Sequence, residues 1–517
     1  MDHSDSTATQ PRRKSRRRSR TAEPATPPRS SRYRHLKNPF TPQPIFSDDE
    51  VANIHATALR VLEELGVKIL LDEARDIFAA AGATVQDDMV FIGRDIVEAA
   101  LETAPRSFTQ NAPNPDHAVT FEPGALVFKP GAGCPNASDR VRGRRPGTLE
   151  AFRETVKLCQ SFDVIHGFSP CVEPQDVAVH LRHYATMTAQ LELGDKTLFV
   201  YSRGRGQVEQ GFDMIRLALD LSDEEFDSQI WAATNINTNS PRMLDRPMAQ
   251  GIIDFARANQ MLIITPFCLA GAMAPVTVAG ALTLQHAEAL MGIALAQLAR
   301  PGAPVTYGGF SSNVDMRSGS PAFGTPEHVK MQLGSGQLAR LLGLPWRSAA
   351  GSASVTTDMQ GAGENDMGLW GCLMSQATIC VHSAGWLEGG LSFGYEKFIN
   401  DLEVVQSLAE LCQPTDGSSD EIGFDALAEV QPGGHFFAAA HTMERYRDAF
   451  YPPLVANLDN FGTWEAAGAA DSATRATAIW QGVLDTFEPP AKGAERAARL
   501  ADYIDRGTAA GGAPPLD

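Results

Sequence analysis

The sequence predicts an α/β protein built on a (β/α)8 TIM-type barrel, with a helical lead-in before it and a helical extension after it. Two observations carry this. From about residue 120, short apolar runs recur, each ending in Gly, Ser, Asn or Pro, and each is followed by a segment of helical periodicity. Strand, loop and helix alternate seven or eight times at roughly 35-residue intervals, which makes parallel βαβ units, and that number closes most readily into a barrel. A doubly wound sheet is the alternative. No strand runs into a helix through a GxGxxG turn, which weighs against it.

Taken in order, the chain opens on a basic stretch, read as a disordered tail over 1–46. Residues 1–36 hold ten Lys/Arg against three acids, a charge of +7 that leaves −25 on the rest of a chain whose net charge is −18. The tail has no apolar periodicity and too few apolar residues to offset the entropy of ordering. A helical segment follows over 47–115. "SDDEVANIHATALRVLEELGVKI" begins with Ser47 as a cap before three acids, repeats apolar residues at helical spacing and stops at Gly66. The barrel is assigned to 116–410. Its strands are "DVIHGF" (163–168), "KTLFVYS" (196–202), "QIWAATNI" (229–236), "MLIITPF" (261–267), "APVTYGGF" (303–310), "PWRSAAG" (345–351) and "ATICVHSAG" (377–385). Helices are expected at 177–191, 207–221, 248–259, 276–299 and 327–342, and a C-terminal extension over 411–517.

Composition excludes several classes. Seven scattered cysteines without a CxxC pair fit reduced thiols in a cytoplasmic protein and give no disulfide framework or zinc knuckle. The twin arginines precede no apolar stretch, so no export signal is read. Residues 261–284 carry no charge and are long enough to span a bilayer, yet Pro266, Gly271, Pro275 and Gly280 punctuate them. A strand, a small-residue loop and a helix are expected there, and no membrane partner. The basic arm is read as solvated tail, not as a nucleic-acid-binding element. His180 and His183 lack a nearby acid, and His435 and His441 fall outside the strand-end loops, so no metal site is assigned.

In a barrel the segments after the strand ends form the active face. Here they are long, polar and rich in glycine, above all after Gly308 and Gly351, where glycines permit close backbone approach. No nucleophile elbow, P-loop or kinase set occupies them.

Five stretches carry a family resemblance: "GAPVTYGGFSSNVDMRSGSPAFGTPE", "LGLPWRSAAGSASVTTDMQGAGE", "HSAGWLEGGLSFGYEKFINDLE", "GGHFFAAAHTMERYRDAFYPP" and "TWEAAGAADSATRATAIWQGVLDTFEPP". In that order, over roughly residues 37–492, they resemble the trimethylamine methyltransferase family. The resemblance implies a barrel that moves a methyl group from an amine to the cobalt of a corrinoid held by a cognate partner protein, with no cofactor tightly bound to this chain. Where archaeal members carry pyrrolysine, this chain reads Gly351, Ser352, Ala353. It therefore resembles the branch that lacks pyrrolysine and acts on glycine betaine and related quaternary amines, with carnitine, proline betaine, choline or trimethylamine as alternatives. Ser352 stands at the catalytic position on this alignment. A barrel that binds quaternary ammonium without turning it over is the rival of another class. A homo-oligomer is expected.

The chemistry suits that branch. A trimethylammonium group departs as a neutral tertiary amine without proton transfer, so the enzyme must mainly position it and exclude water. A cation without N–H groups is held by aromatic faces. The candidates are Phe267, Tyr307, Phe310, Trp346 and Trp386, the last followed by Glu388. A carboxylate would need a cation or N–H donors, for which Arg317, Arg347 and His382 stand open. Asn235 and Asn237 could line the cleft. The surface facing the corrinoid is assigned to Gly308, Gly309, Ser311, Asp315, Arg317, Gly351, Asp358 and Gln360.

Overall fold

The computed structural model describes residues 33–516. Its centre is an eight-stranded sheet, in spatial order Leu36–Lys37, Ala125–Phe128, Ile379–Val381, Trp346–Ala349, Val305–Gly308, Met261–Ile264, Ala232–Ile236 and Leu198–Phe199. The first strand lies antiparallel to the second, and every other neighbouring pair is parallel. Both faces of the parallel strands are buried, which is why they read as unbroken apolar runs. Helices such as Arg246–Arg257, Val278–Ala299 and Pro326–Leu342 follow their strands within two residues of the expected starts. Their caps are local. Asp245, Thr277 and Thr325 each accept a bond from the amide three residues on.

Several expectations change. Residues 33–46 are not a disordered tail. Tyr33, Arg34 and Leu36 are buried, Leu36–Lys37 extends the sheet, and Arg34 pairs with Asp163 at 2.6 Å. The remainder of the basic stretch lies outside the described residues. The run 163–168 forms no strand of its own, but it links two of them. His166 N donates to Phe128 O (3.0 Å), and Phe168 N donates to Thr197 O (3.1 Å). The strand Ala125–Phe128 was not expected at all. The helix expected from residue 177 starts at Arg182, whose guanidinium bonds the Val177 carbonyl and stabilises a turn before it.

The lead-in follows its signals. Ser47 and Glu50 form a reciprocal capping box on the Asp48–Arg60 helix, and the helical run ends at Gly66 with φ 67°. The uncharged stretch from Met261 resolves into a buried strand, a loop and the Val278–Ala299 helix. That helix is long and apolar enough to cross a membrane, yet its most apolar window is 78% buried within the protein. All seven cysteines are free and buried.

Candidate active site

At the C-terminal ends of the parallel strands lies a cavity of about 360 Å³. Its aromatic lining comprises Phe168, Phe199, Tyr201, Phe267, Phe310 and Trp386, and its polar lining includes Lys129, Asn235, Asn237, Arg347 and His382. Among the described residues, no Asp or Glu lines it.

Strand alternation decides which side chains arrive there. Tyr307 and Trp346 are paired neighbours on adjacent strands, so their side chains leave the sheet on one side, and Arg347, one residue on, leaves on the other. Arg347 enters the cavity. Tyr307 bonds Gln285 and His286 of the Val278–Ala299 helix, and Trp346 Nε1 donates to Gln376 O (3.0 Å). Phe267, Phe310 and Trp386 stand beyond the strand ends and can turn inward.

The aromatic wall is continuous. Phe310 lies 5.3 Å from Phe267 and 5.5 Å from Trp386, ring centre to ring centre. His382 stacks on Trp386 at 4.4 Å. Trp386 is 4% exposed, and its Nε1 donates to Ala132 O (3.1 Å). Two glycines make room for the indole: a Cβ on Gly351 would fall 2.3 Å from Trp386 Cε3, and one on Gly390 would fall 2.5 Å from Cζ2.

Arg347 is the electrostatic centre. It is 3% exposed, and its guanidinium carbon stands 5.2 Å from the Phe310 ring centre. Its Nε and Nη1 have no hydrogen-bond partner among the described residues. Nη2 faces His382 Nε2 at 3.5 Å, but that contact satisfies nothing. His382 Nδ1 accepts from Ala132 N (3.2 Å), so the neutral ring carries its proton on Nε2, donor facing donor. Burial lowers Arg347 to about 10, still charged at neutral pH, and holds His382 well below the usual imidazole range. Lys129 is also buried; it donates to Thr197 Oγ1 (2.9 Å), and desolvation lowers it to about 7. The cavity therefore presents a buried cation fork that lacks an acceptor, beside a wall of π faces.

Asn235 and Asn237 sit on the opposite lip, linked at 2.6 Å. Their loop is anchored from beneath by buried Glu288, which accepts from Thr238, Ser240 Oγ (2.6 Å) and Arg242 N (2.8 Å).

The other expected residues lie elsewhere. Ser352 is fully buried outside the cavity lining, and its hydroxyl donates to Glu364 (2.6 Å). Glu388 turns to Arg144 (3.0 Å) and Ser392 (2.8 Å). Asp315 and Arg317 are exposed at the tip of a loop, where Asp315 caps Ser318. Asp358 caps the Met359–Met374 helix, and Gln360 bonds Glu364 (2.8 Å). Ser311 is buried against the Pro326–Leu342 helix side of the sheet. Beside Gly308, a Cβ would meet Ile264 O at 2.4 Å, and beside Gly309 it would meet Gln285 at 2.5 Å. The space at these glycines is filled by this chain's own atoms. Lys129, Phe168, Phe199 and Tyr201 line the cavity without having been expected there. Of these, Lys129 was signalled only by a lone cation in an apolar run before Pro130.

The family profile for trimethylamine methyltransferase matches residues 12–512. A glycine betaine methyltransferase of Desulfitobacterium hafniense (strain Y51) is 33% identical over 462 residues, covering 89% of this chain and 96% of that protein. A trimethylamine methyltransferase of another strain of that organism is 26% identical, covering 89% and 93%. A proline betaine:corrinoid methyltransferase of Eubacterium limosum is 27% identical, covering 78% and 84%. With its parallel α/β core and strand-end cavity, this chain belongs to the trimethylamine methyltransferase family and is a methyltransferase.

Proposed function

We propose that the sheet closes into a (β/α)8 barrel through residues 166–168, and that its mouth transfers a methyl group from glycine betaine to a corrinoid carried by a separate protein. Closure is supported by the backbone bonds from His166 and Phe168 to the two strands that flank them. The substrate reading rests on one observation: a buried Arg347 without an acceptor, set against aromatic faces. A betaine carries both complements, a carboxylate for the fork and a trimethylammonium for the rings. The named relatives that act on glycine betaine and proline betaine agree with it.

A corrinoid brought to the mouth by its carrier protein would supply a cobalt(I) nucleophile to accept the methyl group. The protein's own work is positional. Arg347 holds the carboxylate, and Phe310, Phe267 and Trp386 hold the ammonium. The C–N bond breaks with its electron pair retained on nitrogen, so the product is a neutral tertiary amine and no proton donor is needed at that atom. His382, neutral and bonded through Nδ1, fits a site that asks for none. Burial excludes water from the reacting carbon. Ser352 has no part in this reading, since its hydroxyl is committed to Glu364.

The experiment is a panel of amines with cob(I)alamin, followed by the methylcobalamin spectrum. Glycine betaine is expected to give methylcobalamin and dimethylglycine, and trimethylamine to give neither. Comparable turnover of trimethylamine would overturn the substrate assignment. Tight betaine binding without methyl transfer would favour a binding barrel instead.

A further inference from the structure

Among the described residues three lysines are buried, Lys129, Lys196 and Lys397, and the structure treats one of them differently. Lys397 pairs with Asp401. Lys196 Nζ donates to two backbone carbonyls, Cys159 O (2.6 Å) and Phe162 O (2.8 Å). Lys129 lines the cavity, 5% exposed, and its Nζ finds a single acceptor, Thr197 Oγ1 (2.9 Å). An ammonium has three N–H groups to place. Among the described residues no carboxylate stands against this one, in the cavity lining or behind it.

The seat of the ammonium is made by a missing side chain. A Cβ on Gly167 would fall 1.9 Å from Thr197 Oγ1 and 2.4 Å from Lys129 Nζ. The root is fixed as well, since Lys129 N donates to Cys380 O (2.9 Å) on the neighbouring strand. A cation held this way, desolvated and without an anion, destabilises the empty protein. Its effect falls on what enters the cavity.

We propose that Lys129 sets the choice between zwitterions and bare cations: with its proton, its ammonium repels a quaternary ammonium that brings no carboxylate, and such a cation enters only once that proton has left to water. A betaine carries its own counter-charge, so its net interaction with Lys129 is small. This rests on the reading of the cavity as the substrate site. Arg347 repels cations too, but at about 10 it keeps its charge between pH 6 and pH 8. Lys129, lowered to about 7 by burial, changes charge within that window. Its titratable neighbours do not, Lys196 apart. His166 is lowered to about 3 and Cys159 raised to about 12. His382 is held well below the imidazole range, and the Cys380 thiol and Tyr201 phenol well above theirs. Lys196 is lowered as well, but its Nζ is committed to the two carbonyls and lies outside the cavity lining.

The size of the effect follows from populations. A ligand that needs the unprotonated form binds in proportion to the fraction of that form, about one tenth at pH 6 and about nine tenths at pH 8 for a group near 7. The test is a ligand-observed NMR titration of the full chain at those two pH values. The ligands are choline, the uncharged alcohol in which carbon replaces the quaternary nitrogen of choline, and glycine betaine. Choline should bind about tenfold more tightly at pH 8 than at pH 6, while the alcohol and betaine should each move by less than about threefold. Lys129→Met should bind choline at pH 6 as tightly as the wild type does at pH 8. Choline affinity that is equal at the two pH values overturns the proposal, and so does a pH dependence that survives in Lys129→Met, which would belong to Lys196. Should that variant fail to fold, the wild-type comparison of choline with its uncharged analogue decides alone. A choline shift of the expected size in a protein that binds no betaine upholds the role of Lys129 and overturns the substrate reading instead.

Discussion

Replacing Arg347 by methionine removes the buried charge and keeps an unbranched stem over Phe310. A carboxylate about 4 Å from the guanidinium, at an effective dielectric of about 20, is attracted by roughly 4 kcal/mol before desolvation is counted. Charge-assisted hydrogen bonds keep a net of about 1.5–3 kcal/mol, so betaine should bind the variant roughly 10- to 150-fold more weakly. Choline carries the ammonium without the carboxylate. Its charge, about 5 Å from Arg347, is repelled by roughly 3 kcal/mol on the same arithmetic, so choline should bind Arg347→Met better than it binds the wild type. Stability should move the opposite way from betaine affinity. In the free protein the cation is desolvated and unpaired, so removing it should raise the melting temperature. Isothermal titration with both ligands and a melting curve measure all three. Betaine affinity within threefold of wild type, or an equal loss for both ligands, would refute the assignment.

Trp386 both lines the cavity and packs against Gly351 and Gly390, so Trp386→Leu should weaken betaine binding by roughly 1–2 kcal/mol and also lower the melting temperature. A loss in melting temperature alone would remove the ring from the site. Glu288→Ala leaves the donors of Thr238, Ser240 and Arg242 without their acceptor. A loss of about 2–4 kcal/mol is expected, with Glu288→Gln milder, and denaturant melts decide. His166 and His328 are fully buried and lowered to about 3 and about 4. Between pH 6.5 and 4 the unfolded chain therefore binds protons that the fold refuses, and stability falls as pH falls. Each group contributes about 1.4 kcal/mol per pH unit, so two units below 6.5 should cost about 5 kcal/mol from the pair. Urea melts that agree at pH 7 and pH 5 would contradict this.

The parallel strands were legible because burial on both faces makes them apolar runs with breakers at their ends. Ala125–Phe128 escaped because the five residues between Gly124 and Pro130 carry no periodicity. Residues 33–46 were lost to composition. Arg34 reads as tail until its partner Asp163, distant in sequence, is known. At the site, an aromatic near a strand end is visible in the sequence, but the side it faces depends on register. Tyr307 and Trp346 fell to the helix side while Arg347 took the cavity. Asp315, Asp358 and Gln360 illustrate the opposite error. Loop polar groups look like ligand contacts, and here they fold the loops that carry them.

The slot that holds Trp386 has a consequence for how this pocket can change. Its walls at Gly351 and Gly390 consist of missing methyl groups, so the indole's position in the cavity is set by two sites that admit only glycine. Alanine at position 390 would collide with the indole and, at φ 100°, strain the backbone as well. Position 351, at φ 107°, is closed in the same way. The place of the ring is thus locked by glycine on both sides.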